Sequence, residues 1–169
     1  MKNIPPLRGH LIAAVLIWAF TNGCSQPLPI VNPVQPLALP AMKAMLTSDG
    51  FSGLVAVMAS WCPPCRVELP ILTEFYDKYK EKGITIAAIS IDAEGVSAVQ
   101  PLVNELKIPY PVFWVGVEAA RHFKIRGVPT LLVIRNGVLQ QKIPGGLPHH
   151  AIESAIQNML AAPADPNAV

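Results

Sequence analysis

The sequence predicts an α/β domain with a central mixed β-sheet flanked by helices on both faces, and three patterns carry that expectation. Leu54 to Ala59 and Ile84 to Ile91 are near-continuous apolar runs, as strands are when helices cover both sides of a sheet. Between them Val67, Ile71, Phe75 and Tyr79 recur every four positions, with Arg66, Glu74, Asp77, Lys78 and Glu81 on the other face, which is the period of an amphipathic helix. Further on, Asn136-Gly137 separates the apolar runs Thr130 to Ile134 and Val138 to Ile143, a strong hairpin signal. A chain of 169 residues, 51% hydrophobic and 14% charged, has material for one sizeable core rather than two.

Taken in chain order, Lys2 and Arg8 precede the apolar run Leu11 to Phe20, the layout of an export signal. The run is shorter than the roughly 20 residues of a membrane span. Thr21-Asn22-Gly23-Cys24 resembles the lipobox of bacterial lipoproteins, which implies a signal peptide over 1–23 and a lipid on Cys24. A non-lipid signal cut after Gly23, or an uncleaved anchor, stays open. Residues 24–41 carry five prolines (27, 29, 33, 36 and 40), no charge and no periodic pattern, so they read as an extended Pro-rich tether. The folded domain is expected over 42–161 and a disordered tail over 162–169.

Within the domain, Ala41-Met-Lys-Ala-Met-Leu46 has the propensity of a short helix. The helix that opens at Cys62-Pro63 should stop at Gly83. Leu102, Val103 and Leu106 predict another, starting near Pro101 because proline is tolerated in a first turn. Pro111 to Val115 reads as a strand, Val117 to Phe123 as a short helix, and Ile152, Ile156 and Leu160 as one face of a last helix.

Charge excludes one class of partner. With Lys2 and Arg8 set aside, the 13 basic residues fall to the same number as the 11 acidic ones, leaving no excess to neutralise nucleic-acid phosphates.

The chemistry concentrates in Cys62-Pro63-Pro64-Cys65, placed between a buried strand and an amphipathic helix, the context in which a CxxC pair is a redox motif. At a helix N-terminus the first sulfur meets unpaired N–H groups and the positive dipole end, which favours thiolate. Cys62 is therefore the expected nucleophile and Cys65, one turn on, the resolving thiol. Pro63 and Pro64 remove two N–H donors that could have faced the sulfur. Two alternatives compete. A structural zinc site needs four ligands, yet there is no second CxxC, and His149-His150 fall in an expected loop before the last helix. A permanent staple across two residues adds little loop-closure entropy. Far along the chain, Arg126-Gly-Val-Pro-Thr130 stands directly before a strand.

These segments resemble the thioredoxin superfamily, and especially its TlpA-like membrane-anchored extracytoplasmic thiol-disulfide oxidoreductases. The resemblance runs from Val55 to Leu160 through Ala59-Ser-Trp-Cys-Pro-Pro-Cys-Arg-Val-Glu-Leu-Pro70, Ile108-Pro-Tyr-Pro-Val112 and Ile125-Arg-Gly-Val-Pro-Thr130. It implies a thioredoxin-like fold, a cis-proline at Pro129, a helix-kinking proline at Pro70, and a client surface built from Trp61, Pro63, Pro64, Val128 and Pro129. Ala56 occupies the place where cytosolic thioredoxin has a buried Asp. Glu68 stands where the TlpA-like group often has a Glu, which implies that it takes a proton from Cys65; a solvated helix Glu is the competing reading. The segment Met42 to Gly53 leaves little room for that group's N-terminal β-hairpin.

The resemblance further implies a reductant of exported proteins on the periplasmic side, held to the membrane by lipidated Cys24 and supplied with electrons by a transmembrane thiol carrier. An apocytochrome before haem attachment is one client class. No cofactor or metal is expected. An oxidase or isomerase, and a non-catalytic metal-delivery or chaperone module on the same fold, remain the alternatives. His122, on the short helix, is expected at the surface.

Overall fold

A computed structural model of the protein describes residues 32–161. The expected signal, Cys24, the first part of the tether and the tail lie outside them. Six strands form one sheet in the order β1-β4-β3-β2-β5-β6: β1 (Gln35–Pro36), β2 (Gly53–Met58), β3 (Thr85–Ser90), β4 (Val112–Trp114), β5 (Thr130–Arg135) and β6 (Val138–Pro144). The first four run parallel, and the β5–β6 hairpin joins β2 antiparallel. The sheet is therefore mixed, as expected.

Strand periodicity separates two cores. Leu54, Ala56, Met58, Ile86, Ala88, Leu131 and Val133 face α2 (Pro63–Tyr79), α3 (Val96–Glu105) and α5 (His149–Ala161). Val55, Val57, Ile89, Leu132 and Ile134 face α1 (Leu39–Leu46) and α4 (Val117–His122). Because both faces are covered, every residue of β2 is buried, which is why the run carries no alternation. The hairpin turns on Asn136 and Gly137 at φ 48° and 74°, values that Asn and Gly tolerate best.

Several expectations need correction. The tether does not extend to residue 41: from Asn32 on, the chain belongs to the domain. Asn32 Nδ2 donates to the Ile108 and Tyr110 carbonyls at 3.0 and 2.7 Å, Val34 N–H donates to Gln100 Oε1 at 2.8 Å, and β1 pairs with β4. Partners distant in sequence satisfy this backbone, so no local periodicity marked it. Before β2 the described chain forms only the two-residue β1 and α1, and α1 begins two residues early, with Pro40 in its first turn.

Pro101 does not open α3 but lies inside it. The apolar stripe Val96, Val99, Leu102, Val103 outweighs the missing N–H, whose orphaned acceptor belongs to Ser97 on the exposed side. Val67 is not on the buried face of α2 but 69% exposed; Cys65, Glu68, Leu69, Leu72 and Phe75 are turned inward instead. His149 and His150 are in the first turn of α5, not in a loop, and the His149 ring lies 4.6 Å from that of Phe75.

Candidate active site

Cys62 terminates the loop after β2 and is the N-cap of α2, its sulfur accepting the Cys65 N–H at 3.2 Å. Pro63 and Pro64 occupy the first two helical positions without donors, so the Cys65 amide is the first that can point at the sulfur. The two cysteines are disulfide-bonded, with Cα atoms 5.3 Å apart. In this oxidised form both are buried, Cys62 included. Trp61 beside it is 64% exposed.

The Val128-Pro129 bond is cis, and Pro129 is buried. A loop that the sequence reading left without a role, Gly145-Gly146-Leu147, ties this proline to the helix of the cysteines. Gly145 N–H donates to the Pro129 carbonyl at 2.9 Å. A Cβ on Gly146 would sit 3.5 Å from Pro64 Cβ and 4.0 Å from Pro129 Cγ, so the loop passes between the two. Leu147 N–H donates to Glu68 Oε2 at 2.8 Å.

Glu68 is 1% exposed, so it is not a solvated helix Glu. It lies one turn beyond Cys65 on the same inward face of α2. Its Oε1 has no hydrogen-bond partner among the described residues. Burial pushes its carboxyl above the ordinary range, and the Leu147 N–H opposes that shift in part.

The residue that sequence reasoning missed is Asp92, fully buried after β3. Its carboxylate accepts the Ser60 N–H at 3.0 and 3.2 Å, the Ser60 hydroxyl at 2.6 Å and the Ser90 hydroxyl at 2.7 Å. Its carbonyl accepts Trp114 Nε1–H at 2.7 Å. Asp92 thus fastens the Ser60-Trp61-Cys62 loop to the end of β3. A charged residue ending an apolar run, Ile84 to Ile91, was the available signal.

Of the expected site residues, the fold gathers Cys62, Cys65, Glu68, Pro63, Pro64, Val128 and Pro129 around one helix end and the loops against it, with Trp61 at the rim. His122 is exposed on α4. Among the described residues no group of three or more His, Cys, Asp or Glu side chains is placed to hold a metal.

Residues 46–142 match the AhpC/TSA family. The thiol-disulfide oxidoreductase ResA of Oceanobacillus iheyensis is 29% identical over 113 residues, covering 66% of this chain and 58% of that protein. A thioredoxin of Coprinus comatus is 28% identical over 116 residues, covering 69% of this chain and 88% of the other. Among solved structures, a thiol:disulfide interchange protein of the thioredoxin family from Chlorobium tepidum TLS matches with a TM-score of 0.61 at 28% identity, over 70% of this chain and 85% of that one. The chain thus spans less than two thirds of the length of the ResA proteins it matches.

Proposed function

Given that the chain belongs to the AhpC/TSA family of the thioredoxin superfamily, we propose that it is a thiol-disulfide oxidoreductase working through Cys62 and Cys65, and that it acts as a reductant. The observation that carries the redox reading is a disulfide-forming pair whose first sulfur caps α2 and accepts a backbone N–H. A cap acceptor at the positive end of a helix is stabilised further when it becomes an anion.

In the reduced state the Cys62 thiolate attacks one sulfur of a client disulfide. A Cys62–client S–S bond forms, and the client's other sulfur leaves as a thiolate that takes up a proton. Cys65 then loses its proton and attacks the Cys62 sulfur. The intramolecular disulfide forms and the second client thiolate leaves, taking up a proton in its turn. Two electrons have passed to the client, which has taken up two protons, one matching that lost by Cys65 and one from solvent.

Glu68 is the proposed acceptor of the Cys65 proton. A carboxyl lifted above its ordinary value is closer in basicity to a thiol, and such matching favours proton transfer. Pro129, Val128, Trp61, Pro63 and Pro64 are the proposed client surface; the exposure of Trp61 and the position of Gly146 between Pro64 and Pro129 support it.

The finer reading places the enzyme on the periplasmic side, anchored through Cys24, reducing exported proteins and reloaded by a transmembrane thiol carrier. The signal-like N-terminus, the Gly23-Cys24 pair and the prolines that follow support this. Among the described residues no helix is long and apolar enough to cross a membrane. The test is the potential of the Cys62/Cys65 couple, measured by equilibration with glutathione. A value nearer to about −270 mV than to about −120 mV is expected; one near the upper figure, with net oxidation of a dithiol peptide, would reverse the direction.

A further inference from the structure

From Ala119 to Ile152 the chain has no Asp or Glu, but it has Arg121, Lys124, Arg126, Arg135 and Lys142. The fold gathers three of these cations around one cavity of about 330 Å³, lined by Lys124, Ile125, Arg126, Thr130, Lys142 and Pro144. None of Arg121, Lys124, Arg126 or Lys142 has a carboxylate within 4.0 Å among the described residues, and Glu118, the nearest acidic residue in sequence, lines a different cavity. Lys142 is on the edge strand, where lysine often only blocks unwanted strand pairing. Here its ammonium is instead drawn over the cavity to the Phe123 carbonyl at 2.9 Å.

The cavity adjoins the redox site. Arg126 stands three residues before Pro129 and Thr130 directly after it. The register Val57↔Thr130↔Pro144 places the cavity at the end of β2 from which the Cys62 loop departs. Resting on the redox reading above, we propose that this cavity is the docking site for an acidic segment of the redox partner, a polypeptide with Asp or Glu close to its reacting cysteine.

The placement favours a polypeptide over an anionic membrane surface. Asn32, where the described chain begins, is held by the Ile108 and Tyr110 carbonyls ahead of β4. Since β4, β3 and β2 are parallel, Asn32 lies at the end of the sheet opposite the cavity.

The experiment uses the reduced full-length protein and two synthetic disulfide peptides of one sequence, flanked by Asp/Glu in one and Asn/Gln in the other. Exchange rates are read at about 20 and 300 mM salt. The acidic peptide should react about tenfold faster at low salt, as steering by opposite charge allows, and the ratio should fall below about threefold at high salt, where screening is short-ranged. Lys124→Gln/Arg126→Gln should bring the low-salt ratio close to one, while Lys43→Gln/Lys82→Gln, of equal net charge, should keep it. A ratio near one for the parent, or one that survives Lys124→Gln/Arg126→Gln, overturns the proposal. So does loss of binding to phosphatidylglycerol vesicles in that variant without a peptide preference in the parent. Failure of both peptides to exchange would instead sink the redox reading itself.

Discussion

Replacing Glu68 by Gln separates a proton acceptor from a merely buried carboxyl. The amide retains the shape, and its oxygen can still accept the Leu147 N–H that Oε2 holds at 2.8 Å, so the loop over α2 should stay in place. What is lost is the proposed base one turn from Cys65. An ordinary thiol with a pKa of about 8.5 is only about 3% ionised at pH 7. A base that delivers the thiolate on demand can therefore speed the resolving step by up to about thirtyfold at that pH. The same arithmetic leaves about fourfold at pH 8 and almost nothing at pH 9.

The assay is single-turnover resolution of a Cys62 mixed disulfide with a chromogenic thiol, followed from pH 6 to 9 for both proteins. A gap that closes as pH rises is the expected result; parallel profiles would refute the assignment. Thermal unfolding supplies the control. Burial holds the folded carboxyl above its ordinary range, so its contribution to stability is complete below about pH 4.3 and lost as pH rises through the folded value. The parent should lose stability relative to Glu68→Gln across that window.

Two further outcomes follow from the same geometry. Cys65→Ser should accumulate mixed disulfides with client proteins on non-reducing gels, since the resolving thiol is gone, whereas Cys62→Ser should accumulate none; equal trapping by the two would reverse their order. Asp92→Ala strips the Ser60 N–H, the Ser60 hydroxyl and the Ser90 hydroxyl of their buried acceptor. It should cost about 3 kcal/mol, or roughly 10 °C in Tm, and slow exchange even where the variant is fully folded. An unchanged Tm would show that the carboxylate does not hold the Ser60 loop.

What could be read from the sequence was what local spacing controls. The apolar runs of β2 and β3, the Asn136-Gly137 turn and the Cys62-Pro-Pro-Cys65 opening of α2 each arise from contacts a few residues apart, or from burial on both faces of a strand, and each was legible. The inward face of α2 was misjudged because Val67, Ile71 and Phe75 make as regular a stripe as the one that packs. Only contact with the sheet chose between them, and that choice took Glu68 out of solvent. The segment from Asn32 to Leu37 looked like tether because its partners, Gln100, Ile108, Tyr110 and Trp114, lie more than sixty residues away. Asp92 under the Ser60 loop and Leu147 on Glu68, 32 and 79 residues from their partners, are likewise brought into place by the fold. Chemistry-bearing residues announce themselves by type and spacing, whereas the groups that hold, shift or steer them are brought together by chain crossings that sequence distance does not encode.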